Sequence, residues 1–404
     1  MLTVPRTIII CCVIGLLATV LATCESSALY NKTPDKYLIK IADEGAESVG
    51  ADLAIVEFDE FGMLWDRRQL DDTLALIKRR NAESKNGVML LTYTHGWQNN
   101  ADPNDATGDL AEFRQTLKKL TSELPNQGSL TPNHIVGVYL GWRGTTSNLP
   151  GLDTITFWGR KRVAERIASF EMRESLFLIA QAAKSNRDSK VFMSGHSMGG
   201  MILAKALAPS LTTALMMSGT EGLPYMADLA VLKNPALDGL STYQFIKFLK
   251  RNGVVAELRS PYGNIETAPG PAIVSITSEA DWVTSLAYPA GQIVGNTITA
   301  TDFRANLGPG MPSQKELSDN TQGHIDYLVS HKAWYEDGKL MLERVPNAYN
   351  DTPFWIIQVT KEISSGHSDV NGPKFIELLR RFISLNRLYD STSKTWLRAT
   401  TPQQ

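Results

Sequence analysis

The sequence predicts an α/β architecture: a mostly parallel central sheet with helices on both faces and an insertion before the last core strand. Two observations carry this. From residue 49 onward, short apolar runs of strand character alternate with longer runs of helical periodicity, the pattern of strands joined by covering helices. The strongest apolar runs also stop in glycine-bearing loops, as strands do where a sheet edge opens. No internal repeat or low-complexity segment interrupts the pattern, so one domain is expected over residues 49–390, with a tail at 391–404.

In chain order, residues 54–58 and the segment around Met63-Leu64, separated by Asp59-Glu60-Phe61-Gly62, read as an opening hairpin of edge strands. Residues 69–80 read as the first helix, with Leu70, Leu74 and Ile77 at helical spacing. Residues 88–93 form a buried-strand run that ends in Thr94-His95-Gly96-Trp97. A second run at 135–140 ends in Gly141-Trp142-Arg143-Gly144. Helical periodicity at 160–170 and 173–183 leads into a strand at 190–193. Residues 229–232, 272–277 and 354–360 are further short apolar runs of sheet character. The span 289–351, rich in Gly, Pro, Asn and Thr, is too long for a plain connection and is expected to be an insertion or lid. Residues 373–388 close the chain as a helix, with Pro373 in the first turn and Phe375, Leu378, Leu379, Phe382 and Ile383 on one face.

The 404 residues are 43% hydrophobic and 20% charged, enough apolar material for a full core. Forty Lys and Arg stand against 42 Asp and Glu, a formal net charge of −2. Without a basic surplus there is nothing to attract a phosphate backbone, and no nucleic-acid partner is expected.

The first 23 residues differ from the rest. A short segment ending at Arg6 precedes an almost wholly apolar run at 8–22, too short for a comfortable membrane span but of the length of a signal-peptide core. Of the three cysteines, Cys11 and Cys12 lie in that run and Cys24 just beyond it, so no disulfide is expected in the mature chain. Leu21-Ala22-Thr23-Cys24 resembles the lipobox of bacterial lipoproteins, with Thr23 where that motif usually has Gly or Ala. The resemblance implies a lipidated Cys24, a linker over 24–48, and membrane attachment in the cell envelope outside the cytoplasm. Cleavage after Ser26-Ser27-Ala28, giving a secreted chain, and an uncleaved N-terminal anchor are the alternatives, and all three place the domain outside the cytoplasm.

Ser194-Gly195-His196-Ser197-Met198-Gly199-Gly200 contains Gly-x-Ser-x-Gly directly after a predicted strand and before a helix-like run. A sharp strand-to-helix turn lifts the serine oxygen clear of the sheet and needs glycine where backbone segments crowd. The following helix aims its N-terminus at any negative charge that develops there. A chance glycine-rich turn without chemistry is the bland alternative.

This motif resembles the nucleophile elbow of esterases and lipases in the α/β-hydrolase superfamily, a likeness that loosely spans residues 53–388. In that superfamily a His-Gly pair after the third strand carries the oxyanion hole, and His95-Gly96-Trp97 matches it. The resemblance implies that the backbone N–H groups of Trp97 and Met198 form the oxyanion hole, with His95 holding the loop rather than reacting. It also implies the order serine, acid, histidine. The acid is expected after the strand at 272–277, where Asp281 is the first choice, Glu279 a close rival and Asp238 a remote one. Six histidines exist, and His324, His331 and His367 lie beyond Asp281. His367, in a polar loop after the strand at 354–360, is the expected general base.

The expected activity is therefore hydrolysis of a carboxylic ester, small-molecule or lipid, through an acyl-Ser197 intermediate, without metal or other cofactor. No metal-ligand spacing and no phosphate-cradling loop is present in the sequence. Trp97, Trp142 and Trp282, each just past a predicted strand, could line an apolar acyl pocket with Met198, or could be ordinary packing. The rival of another class is a non-catalytic envelope lipoprotein that uses the fold as a binding module. A long distance between Ser197 and every histidine would favour it.

Overall fold

The computed structural model describes residues 28–43, 49–123, 134–145, 152–216, 227–253, 271–288, 311–385, 389–390 and 395–396. The expected signal segment 1–23, Cys24, most of the tail at 391–404 and the first part of the expected insertion, 289–310, lie outside the described residues.

The strands are β1 (Leu38–Ala42), β2 (Gly50–Glu57), β3 (Val88–Thr94), β4 (His134–Gly141), β5 (Lys190–His196), β6 (Leu229–Lys233), β7 (Ile273–Ser278), β8 (His331–Glu336), β9 (Lys339–Arg344) and β10 (Phe354–Val359). They form one ten-stranded sheet in the order β1-β2-β4-β3-β5-β6-β7-β10-β8-β9. Neighbours from β2 through to β8 are parallel, and one antiparallel strand closes each edge. A separate two-residue pair, Tyr389–Asp390 with Thr395–Trp396, follows the last helix.

The helices are α1 (Pro34–Tyr37), α2 (Arg67–Glu83), α3 (Asp109–Glu123), α4 (Leu152–Ile167), α5 (Phe170–Lys184), α6 (Met198–Met216), α7 (Gly239–Arg251), α8 (Gln314–Asp319) and α9 (Pro373–Leu385). Alternation along the strands decides which helices cover which face. Ala54, Val56, Val136, Val138, Val88 and Leu90 share a core with Leu70, Ile77, Leu176, Ile202 and Ile246, from α2, α5, α6 and α7. On the opposite face Leu53, Ile55, Ile135 and Tyr139 pack on Leu110, Phe113 and Leu117 of α3, and Val274, Ile276, Ile357 and Val359 on Phe375, Leu378 and Phe382 of α9. Central parallel strands are thus apolar on both faces, which is why they read as continuous runs in the sequence.

Three expectations need correction. Residues 54–58 are not an edge strand: β2 is buried along its whole length between β1 and β4. Its supposed hairpin partner makes only one bridge, Phe58 to Leu64, before Asp66 caps α2 by accepting from the Arg68 N–H. The true edge, β1, lies inside the stretch read as linker. Its half-exposed face carries Lys40, so it lacks a strong apolar signal. The described part of the 289–351 span is not a lid. Residues 331–344 form the β8–β9 hairpin that extends the sheet beyond β10, and the short turn Gln322–His324 is tucked in beneath, Gln322 Nε2 donating to Ser275 Oγ of β7 at 2.7 Å.

The chain leaves β3 through α3 on one face and β5 through α6 on the other, although these strands are neighbours. Connections that part in this way mark a switch point, where open α/β sheets bind ligands at the C-terminal edge. Phe375 is fully buried where α9 covers the sheet. Phe375→Ala is expected to lower the unfolding free energy by about 3–5 kcal/mol, read as a fall in the urea midpoint at unchanged m-value.

Candidate active site

Ser197 sits at this switch point, between the end of β5 and the first residue of α6, with φ 54°. A serine in the left-handed region costs energy and is held there by its neighbours. Its N–H donates to the Lys233 carbonyl at 2.9 Å, and its own carbonyl accepts from Met201 at 3.2 Å and Ala236 at 3.0 Å. Gly199 is required: a Cβ there would drive deep into the Thr94 and His95 carbonyl oxygens at the end of β3. The motif therefore encodes a real close approach.

His367 Nε2 lies 2.8 Å from Ser197 Oγ, and His367 Nδ1 lies 2.8 Å from Asp281 Oδ2. Because the carboxylate can only accept, Nδ1 carries the proton and bare Nε2 faces the serine hydroxyl. Asp281 is fully buried. Its Oδ1 accepts from the N–H groups of Val283 at 3.0 Å and Thr284 at 3.2 Å, and its Oδ2 also accepts from Thr284 Oγ1 at 2.6 Å. Burial alone would push this carboxyl up. The hydrogen bonds and charge from His367 and the bonds from Thr284 outweigh burial and hold it below the usual carboxylate range.

The two loops that carry His367 and Asp281 are tied together by residues the sequence did not flag. Asn234, fully buried at the end of β6 with φ 41°, donates through Nδ2 to the His367 carbonyl at 2.8 Å and accepts at Oδ1 from the Ser278 N–H at 2.9 Å. Ser278 Oγ in turn donates to the Ser364 carbonyl and accepts from the Ala280 N–H. His196, next to Ser197, donates from Nε2 to the same His367 carbonyl at 2.9 Å. Only the short strand-end position of Asn234, where asparagine tolerates a left-handed turn, offered a hint.

The His95 loop closes the other side. A Cβ on Gly96 would stand 2.9 Å from the Ser197 Cβ, so this backbone lies directly against the serine. His95 is fully buried between Tyr139 and Trp142, both stacked at 5.4 Å. Its Nε2 accepts from the Trp142 N–H at 2.9 Å while Nδ1 meets the Gly96 carbonyl at 2.9 Å, which fixes the loop. Among the described residues, the N–H groups of Trp97 and Met198 have no hydrogen-bond partner. The three tryptophans diverge: Trp142 is buried on His95, Trp97 packs edge-on against Phe157 at 5.1 Å, and Trp282 is largely exposed.

The remaining candidates are engaged elsewhere. Glu279 accepts from the Lys361 N–H, and Asp238 caps α7 by accepting from Ser241. His324 reaches the site only indirectly, its Nε2 lying 2.9 Å from Thr284 Oγ1, and His331 stacks on Trp355 at the far edge of the sheet. Among the described residues no group of three His, Cys, Asp or Glu side chains is arranged to hold a metal ion. In comparisons with known proteins, the chain matches no family model and no curated protein.

Burial draws His196 down to about 4 and His331 likewise to about 4, and it lowers His95 and His324 as well. The unfolded chain binds protons near pH 6.5 that these folded imidazoles refuse, so stability should be complete above that pH and fall toward pH 4. Each such group adds a slope of about 1.4 kcal/mol per pH unit inside its window. His196→Gln is expected to flatten that slope by one proton's worth in denaturant titrations between pH 6.5 and 4; an unchanged slope would count against a neutral His196.

Proposed function

We propose that the chain adopts the α/β-hydrolase fold and is a serine hydrolase that cleaves carboxylic esters. We also propose that it works outside the cytoplasm, held to the cell envelope by a lipid on Cys24. The observation that carries the catalytic reading is the continuous Ser197–His367–Asp281 hydrogen-bonded chain, both links at 2.8 Å, on a strained strand-to-helix turn. Its side chains come from three separated strand ends, so a purely structural hydrogen-bond chain would be an expensive coincidence.

In this reading His367 Nε2 takes the hydroxyl proton as Ser197 Oγ bonds to the ester carbonyl carbon. The oxyanion that forms receives the N–H groups of Trp97 and Met198, which stand unpaired on either side of the serine, with the N-terminus of α6 adding its partial positive charge. Collapse breaks the bond to the alcohol oxygen, which takes the proton from His367. Water, deprotonated by the same imidazole, then releases the acid and restores Ser197. Asp281 keeps its charge throughout and fixes the Nδ1–H tautomer. The ester class follows from the resemblance of the elbow alone.

A fluorophosphonate probe is expected to label the folded chain, with labelling abolished in Ser197→Ala. His367→Ala and Asp281→Asn should slow it by roughly a hundredfold or more. A well-folded wild type that stays unlabelled, with and without detergent, would overturn the proposal in favour of a binding module.

A further inference from the structure

The loop between β2 and α2 is a stiff finger with an apolar tip. The Trp65 N–H donates to the Glu57 carbonyl at 2.9 Å and closes the base, and the Asp59 N–H donates to the Met63 carbonyl at 2.8 Å. Asp59 Oδ1 accepts from the Phe61 N–H at 2.8 Å and the Met63 N–H at 2.9 Å. Gly62, with φ 85°, rests against the carbonyl of Arg166, and the Leu64 N–H donates to Glu171, so the finger lies on the α4–α5 corner. At this junction Phe61 is 78% exposed, Met63 48% and Phe170 82%. Two large apolar side chains are thus held in water by a loop that uses its own hydrogen bonds to keep them there, and Phe170, at the start of α5, stands exposed on the corner the loop rests on.

The surroundings favour one occupant. Charges of both signs stand beside the tip in balance: Glu60 pairs with Arg143 and Arg160, Arg67 with Glu174 and Arg68 with Asp66, Arg166 donates to the Glu60 carbonyl, and the Asp59 and Glu171 carboxylates are taken up by backbone N–H groups of the loop. That leaves an apolar surface with neutralised flanks, poorly suited to a charged protein partner. Phe61 and Phe170 project rather than line a groove, so what covers them must deform around them, as the headgroup and acyl boundary of a bilayer does.

The attachment point of the N-terminal segment is the second argument. The Glu57 carboxylate, at the base of the finger, accepts from the Tyr30 N–H at 3.0 Å, the Asn31 N–H at 2.9 Å and Asn31 Nδ2 at 3.0 Å. From Tyr30 back to Cys24 is six residues, a reach of at most about 20 Å. A lipid on Cys24 would therefore hold the finger at the membrane. By register, Glu57 faces Gly141, and Thr94 faces both Leu140 and Gly195. The finger and the Ser197 elbow thus share the C-terminal edge of the sheet, roughly 14 Å apart across three strand spacings.

We infer that the tip formed by Phe61, Met63 and Phe170 inserts into a lipid bilayer surface and turns the Ser197 edge of the sheet toward esters dissolved in that bilayer. The inference rests on the anchor and hydrolase readings above for its biological sense, but its physical test does not need the enzyme to be active.

The test uses the full chain reconstituted in phosphatidylcholine vesicles, with Phe61→Trp and Phe170→Trp each compared with wild type. The added emission should be blue-shifted and lose roughly half or more of its intensity when the acyl chains are brominated. Added emission that ignores brominated chains and is quenched by acrylamide as freely as in lipid-free protein would overturn the inference. So would protection that appears without lipid and disappears on dilution, the mark of a second copy. If wild type fails to float with vesicles, the anchor reading fails, and quenching on simple addition of vesicles decides the tip alone. In the activity arm, Phe61→Ser with Met63→Ser should slow hydrolysis of a bilayer-dissolved ester by about tenfold and leave a water-soluble short-chain ester unaffected. Equal loss on both would argue against the inference, and no hydrolysis of either by wild type would fault the hydrolase reading while the emission result still stands.

Discussion

A carboxylate with no solvent exposure, Asp281, is the constraint around which the candidate site is arranged. An ionised group removed from water is costly unless its oxygens are met by donors, and here two backbone N–H groups, one hydroxyl and one imidazole meet them. That requirement explains the local backbone. The turn after β7 must fold back so that Val283 and Thr284 present their N–H groups to the side chain two and three residues earlier, and the chain runs straight on into the short π-helix Val283–Ala287. It also explains the neighbours. Thr284 Oγ1 gives its hydrogen to Asp281, so it is left to accept from His324 Nε2, which assigns that ring's proton to Nε2. His367 then has one orientation that satisfies the carboxylate, and in that orientation its other nitrogen faces Ser197.

Sheet topology supplies what local hydrogen bonding cannot. β5, β6, β7 and β10 are consecutive neighbours, so the ends of four strands bring Ser197, Asn234, Asp281 and the His367 loop into one row. Asn234 works as a rivet in that row: through one side chain it bonds the start of the Asp281 loop and the carbonyl of His367. An amide, with a donor and an acceptor on adjacent atoms, suits this position better than any carboxylate or ammonium would.

Legibility in the sequence followed the range of the interaction. The elbow could be read because its crowding is resolved within five residues, and the glycine that avoids the Thr94 and His95 carbonyls stands in the motif itself. The central strands could be read because burial on both faces leaves a continuous apolar run. His367 and Asp281 could be named only through the order of the family that the elbow resembles, since the loops holding them are polar and unremarkable. Asn234 was invisible, because its role is set by two segments far along the chain. β1 was missed because an edge strand with one face to solvent has little apolar signal, and 331–344 was taken for insertion because its outer strand, β9, is nowhere fully buried and carries charge at both ends. The pairing that gives these segments their structure is long-range backbone hydrogen bonding, to which the side-chain pattern is nearly blind.

The electrostatics beside His367 set two adjacent imidazoles apart. The rings of His196 and His367 are 4.9 Å apart, close enough that two positive charges would oppose each other strongly. Burial, reinforced by His367, keeps His196 neutral, and donation from Nε2 to the His367 carbonyl leaves its Nδ1 bare. That nitrogen has no hydrogen-bond partner and stands 4.0 Å from Asp109 Oδ2, too far for a proton to be shared. Asp109 is occupied by the Tyr93 hydroxyl at 3.0 Å, and burial draws the nearby Lys233 ammonium down to about 8 against the pull of Asp109 and Glu112. In the proposed reaction, a proton leaving Ser197 would find one imidazole with a carboxylate behind it and another with none in hydrogen-bond reach. The first can hold the proton and the second can only hold the first in place, so the asymmetry of their partners, rather than any difference in residue type, separates the two roles.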